Sequence, residues 1–173
     1  EEVFWMQFSF LSANYPAVSR GLRYVLELSC RSRLVDLLYP SDPLERKLRK
    51  AFRLEKKRKK AMPYGWRLIK NVLESLQAFE LERGDRLRVR RAWAFLNKHV
   101  HPSFTTEGAG RSPDEEVATR LLGVADVVFD VISLLFLDAF PRVAREITSP
   151  DLLDKMREHL PMSYKLISAY RPC

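Results

Sequence analysis

Two of the three histidines in the 173-residue chain, His99 and His101, stand just downstream of an arginine run made of Arg83, Arg86, Arg88, Arg90 and Arg91. An imidazole can move protons around a ribose 2′-hydroxyl while a guanidinium steadies the charge developing on phosphate. The segment therefore has the residue types of a metal-independent endoribonuclease. Arg91, His99 and His101 are the candidate catalytic set. Its spacing is imperfect, because on a regular helix eight residues separate Arg91 from His99 by about 80° and about 12 Å along the axis. The plain alternative has His101 at a helix end before Pro102 and His99 packed on a neighbour. His99-x-His101 has no Cys or carboxylate at ligand spacing, so no metal is expected. No glycine-rich phosphate loop or serine or cysteine nucleophile signature is present either, and no cofactor is expected.

A denser basic tract lies upstream: Arg46, Lys47, Arg49, Lys50, Arg53, Lys56, Lys57, Arg58, Lys59 and Lys60, opposed nearby only by Glu45 and Glu55. Together with Arg86, Arg88 and Arg90 it forms the candidate nucleic-acid-binding set, able to neutralise several phosphates without reading sequence. The competing reading is a solvated helix face whose terminal lysines complement the helix dipole. If both clusters shared a face, they would wall a groove with the histidines at its floor. Asp126, Asp130 and Ser133 also fall on one helical stripe; they read as paired acids of a site or, more simply, as a stripe that faces solvent or pairs with arginines of a neighbouring helix such as Arg33 or Arg23.

These residues must be positioned by helices, for no stretch shows sustained period-two alternation. Asp42-Pro43, Ser112-Pro113 and Ser149-Pro150 each place a capping side chain before a proline, a helix-start signature. The spacing predicts helices over about 16–38, 43–60, 65–82, 85–100, 113–147 and 150–160, followed by an irregular tail. Pro141 should kink or split the fifth. The loop 103–111 contains Gly108-Ala109-Gly110 and reads as mobile. At the front, Phe4, Trp5, Phe8 and Phe10 alternate in a way that could pass for a strand; core or dimer contact suits them better than a base-stacking platform. The expected fold is all-α, an antiparallel bundle of five to six helices in one domain over 1–173. Its core spans about 15–147, with a C-terminal helix and tail over 148–173.

Thirty Lys and Arg against 22 Asp and Glu give a formal +8, and 46% hydrophobic residues suffice for one core. Cys30 and Cys173 cannot build a disulfide framework, which suits a reducing, cytoplasmic setting. The apolar stretch Leu121 to Phe140 carries Asp126, Asp130 and Asp138, each costing about 2.5–3.5 kcal/mol at a bilayer centre, so it reads as a core helix and no membrane partner is expected. The start, Glu-Glu-Val-Phe-Trp, lacks an initiator Met and a signal-peptide pattern, and reads as trimmed from something longer. Arginine-rich, Asn- and Gln-poor composition hints at a hot-growing source.

Three segments, Leu22-Arg23-Tyr24-Val25-Leu26-Glu27, Leu96-Asn97-Lys98-His99-Val100-His101-Pro102-Ser103 and Phe129 to Pro141, resemble the HEPN-like helical proteins of prokaryotes. The resemblance spans roughly Tyr15 to Ile147. It implies a bundle that is commonly dimeric, in a superfamily of ribonuclease toxins, defence proteins and inactive nucleic-acid-binding members. Catalytic members of that superfamily carry an arginine separated from a following histidine by four to six intervening residues. Here positions 92–94 are Ala92, Trp93 and Ala94, so the match fails for His99, and it fails for His101 as well. A dimer could bring the partner's Arg91 into range. The resulting expectation is an RNA-binding HEPN-like homodimer, with ribonuclease activity a secondary reading. The rival is a non-enzymatic interaction module whose basic face meets an acidic protein.

Overall fold

The computed structural model describes residues 2–12, 14–56, 65–76, 80–100 and 115–170. Helix is the only regular secondary structure among them. The order is α1 (Glu2–Leu11), α2 (Tyr15–Leu38), α3 (Leu44–Lys56), α4 (Trp66–Glu74), α5 (Arg83–Val100), α6 (Glu115–Ala139), α7 (Pro141–Glu146), α8 (Pro150–His159) and α9 (Pro161–Tyr170). The chain is thus the all-α bundle that its periodicity predicts. Among the described residues, no helix is long and apolar enough to cross a membrane.

Among the described residues nine helices stand where five or six were expected, for three local reasons. Pro141 divides the long hydrophobic helix, as its lost donor requires, leaving Phe140 as the N-cap of α7. The front aromatics belong to a helix, not a strand: α1 packs on α2, with Met6 buried over Gly21. A Cβ on Gly21 would lie 2.6 Å from Met6 Cγ, so any larger residue would push α1 away. The expected irregular tail is α9, whose Met162, Leu166 and Ile167 are fully buried. Elsewhere α4 is shorter than its periodicity suggests. It starts after Gly65, held at φ +60°, and stops where the Ser75 hydroxyl and N–H both turn back to the Val72 carbonyl.

Capping follows the sequence in part. Asn14 accepts from Ala17 N at 3.3 Å to start α2, and Ser149 accepts from Leu152 N at 3.4 Å to start α8. Asp42 sends its carboxylate to Lys50 and Arg46 instead of to backbone. Ser112-Pro113 lies outside the described residues.

Two helices organise the packing. α2 meets α1, α3, α4, α5 and α6, while α6 meets α2, α5, α7 and α9. Val18 and Leu22 lie beside Leu121 and Ala125, and Arg33 pairs with Asp138 near the other end, so α2 and α6 run in the same direction. α5 reaches α6 through Arg88 at Asp130, and α9 through Asp85 at Lys165. Leu26, Leu68, Ile69, Leu96, Leu134 and Leu166 are fully buried between these layers, each contributing about 1.5–3 kcal/mol through removal from water. Cys30 shares that core. Burial, helped by the Glu27 charge, pushes its thiol up to about 12, which makes it an inert apolar filler.

The start of α9 is capped from 32 residues away. Asp130, on α6 and without solvent exposure, accepts from Met162 N and Ser163 N, both at 3.0 Å, and from Ser163 Oγ at 2.9 Å. Its carboxylate thus satisfies orphan N–H groups at the positive end of a helix. Asp130→Ala leaves those donors and Arg88 without their acceptor. Thermal or urea unfolding should show a loss of about 3 kcal/mol; a loss below about 1 kcal/mol would mean that water substitutes for the carboxylate.

Candidate nucleic-acid interface

At 100° per residue, Arg83, Arg86 and Arg90 fall within an arc of about 60° on α5, while Arg88 points about 140° or more away from it. The structure uses that division. Arg88 turns inward, its guanidinium 3.5 Å from the buried Asp130 carboxylate. Burial pushes Asp130 above the usual carboxylate range, and the Ser163 and Met162 N–H groups, the Ser163 hydroxyl and Arg88 oppose that push. Arg88, one of the residues expected to meet nucleic acid, is thereby tied into the bundle. Arg83, Arg86 and Arg90 remain exposed.

These three line one wall of a groove of about 470 Å³ between α4 and α5, with Trp66, Lys70 and Glu74 opposite and Leu73 and Leu87 completing it. Four cations thus face one carboxylate. Lys70 is 3.7 Å from Glu74, and Arg86 is 2.9 Å from Glu80. Both pairs are exposed and worth at most about 1 kcal/mol, so a phosphate can displace either. Arg83 and Arg90 have no ion-pair partner among the described residues. Sequence reasoning missed the α4 side of this groove. Its signal was Trp66 and Lys70 at i and i+4, one face of a helix that looked merely amphipathic.

The upstream tract is differently placed. α3 docks on α2, where Lys47 lies 3.0 Å from Asp36 and Lys50 lies 2.6 Å from Asp42 and 3.2 Å from the centre of the Tyr39 ring. The Lys50 hydrogen bond holds the Asp42 carboxyl below its ordinary range. Arg46 reaches the same carboxylate at 3.9 Å, and Arg49 is exposed. Of Arg53 and Lys56 only the backbone is described; Lys57, Arg58, Lys59 and Lys60 lie outside the described residues. α5 meets α2 near its other end, where Arg23 sits over the Trp93 ring at 5.0 Å. Thirteen residues separate Arg23 from Asp36, about 20 Å along α2.

Arg91 is exposed, and the unbroken α5 keeps it about 12 Å along the axis from His99. The His99 side chain and the whole of His101 lie outside the described residues. The paired-acid reading separates: Asp126 is exposed while Asp130 is a cap. Arg33 pairs with Asp138, and Arg23 with Glu27 at 3.1 Å. Among the described residues, no three His, Cys, Asp or Glu side chains cluster as a metal ion would need.

No family model, curated protein or solved structure matches the chain.

Substitution separates the arginine that holds the bundle from those that line the groove. Arg83→Gln and Arg90→Gln should leave unfolding free energy within about 0.5 kcal/mol of wild type. Arg88→Gln should cost about 1–2 kcal/mol by leaving the buried Asp130 charge without its cation. Equal costs for all three, by denaturant titration, would contradict this division.

Proposed function

We propose that the chain is an HEPN-like RNA-binding protein that holds single-stranded RNA in the α4–α5 groove, and that it acts by binding rather than by cleavage. The carrying observation is the cluster of Arg83, Arg86 and Arg90 on one stripe of α5, facing Lys70 and Trp66. Guanidinium groups grip phosphate in a fork, and an aromatic wall gives a base a surface to stack on, the combination that sequence-tolerant single-strand binding uses. The α3 tract extends the basic surface, with Lys47 and Lys50 contributing less because each already has a carboxylate partner. The distance along α5 between Arg91 and His99 favours binding over catalysis within one chain.

Salt titration of a labelled single-stranded RNA tests this reading. Affinity should fall log-linearly with salt, and Arg83→Gln/Arg86→Gln/Arg90→Gln should flatten the slope by about 2, at roughly 0.7 per phosphate contact. Lys47→Gln/Lys50→Gln should flatten it less. The RNA should stay intact, without added metal, with wild type, His99→Ala and His101→Ala alike. Cleavage lost in a histidine variant that still binds would make the protein a ribonuclease instead. Salt-resistant, selective capture of an acidic protein, with no RNA affinity, would make it an interaction module.

A further inference from the structure

One group in the α4–α5 groove has the wrong sign for phosphate. Among the described residues that line it, Glu74 is the sole carboxylate, set against Arg83, Arg86, Arg90 and Lys70. Gly65, just before α4, lies so near α5 that a Cβ on it would stand 3.4 Å from Trp93 Cζ2, one turn beyond Arg90. The groove therefore runs from Trp66 and Arg90 at one end to Glu74 and Arg83 at the other. Trp66 and Glu74 are about 12 Å apart along α4, and Arg83 and Arg90 about 10.5 Å apart along α5, so cations accompany the whole of the opposite wall. At the Trp66 end a base meets an indole face, which any base can use. At the Glu74 end the lining is aliphatic, with Leu73 buried and Leu87 44% exposed, and a carboxylate stands beside it.

The Glu74 oxygens are open to a ligand. Lys70, one turn earlier, is 3.7 Å away, beyond hydrogen-bond distance, and both side chains are exposed. A carboxylate so placed repels a base edge that presents acceptors and favours one that presents donors. We propose that Glu74 makes the groove selective for guanine, whose Watson–Crick edge meets the carboxylate while Arg83 holds the adjoining phosphate; this rests on the reading that the groove holds single-stranded RNA. Guanine alone of the four RNA bases sets two donors side by side on that edge, N1–H and N2–H, the fork by which a guanidinium meets a carboxylate. Cytosine and adenine set a ring acceptor beside their amine, and uracil sets its N3–H between two carbonyls. Where a phosphate takes Lys70, Glu74 is left as a negative charge along a polyanion, and the guanine donors replace what Lys70 supplied. The cations hold any strand, and Glu74 selects the base that stands at Arg83.

Equilibrium binding of the full chain to oligouridine, plain or carrying one central guanosine or inosine, tests the selectivity. Wild type should hold the guanosine strand roughly tenfold more tightly than the plain one. Inosine, which keeps N1–H and lacks the N2 amine, should fall between them. Glu74→Ala should lose the guanosine preference and bind plain oligouridine more tightly than wild type does, because a negative charge has left the groove. Weaker binding of both strands alike in Glu74→Ala would make Glu74 a structural residue only and overturn the proposal. Salt-dependent binding by wild type without a guanosine preference, or a preference that survives in Glu74→Ala, would overturn it too and leave the groove reading standing. Binding of neither strand would overturn that reading and the proposal together.

Discussion

A carboxylate buried without solvent contact costs several kcal/mol, and Asp130 persists in the core only because four groups converge on it. Those groups belong to two helices, α9 and α5, and the acid itself to a third, α6. Met162 and Ser163 are the first turn of α9, Ser163 adds its hydroxyl, and Arg88 reaches in from α5. The bond that satisfies the acid therefore also docks the last helix against α6 and fixes the rotation of α5 about its own axis. Arg33 with Asp138 on α2 and α6, and Lys165 with Asp85 on α9 and α5, repeat the device at other levels of the bundle. Each of the buried carboxylates among the described residues, Asp85, Asp130 and Asp138, thus meets an opposite charge.

The disposition of surface charge follows from that arrangement. Holding Arg88 at Asp130 obliges Arg83, Arg86 and Arg90 to leave on the far side of the same helix, where α4 supplies Lys70 and Trp66. On α3 the opposite happens: Asp36 and Asp42 take up Lys47 and Lys50, so part of the charge of the densest basic tract in the sequence is matched by the protein's own carboxylates. Local density of lysines and arginines is thus a poor guide to where an anion would be held. What matters is which cations lack a carboxylate, as Arg83 and Arg90 do among the described residues, or hold one only in an exposed pair, as Arg86 and Lys70 do.

Much of the architecture was legible from local chemistry. Ser149-Pro150 starts α8, Pro141 breaks the hydrophobic helix, and period 3.6 with no period 2 gives a bundle of helices. Errors arose where the deciding partner was distant. α9 looked like a tail because its cap is Asp130, far away in the sequence, and α4 ran too long on paper because Ser75 competes for a carbonyl inside an otherwise apolar pattern. The arginine run was visible as a candidate, but its split into one inward and three outward residues depends on Asp130 being buried beneath Arg88. Likewise Lys47 and Lys50 read as free cations until α3 was docked on α2. The histidine pair stays where the sequence left it, with His101 outside the described residues.

The claim that the α4–α5 groove holds RNA is tested most directly at Trp66, one of only three tryptophans. With Trp5 and Trp93 replaced by Phe, Trp66 is the sole indole emitter, and its fluorescence can be followed while oligouridine is added at low salt. Saturable quenching that reverses as salt is raised is the predicted result, because a base stacked on the ring must leave when the phosphates are displaced. RNA binding with unchanged Trp66 emission would place the nucleic acid elsewhere on the protein and contradict the account.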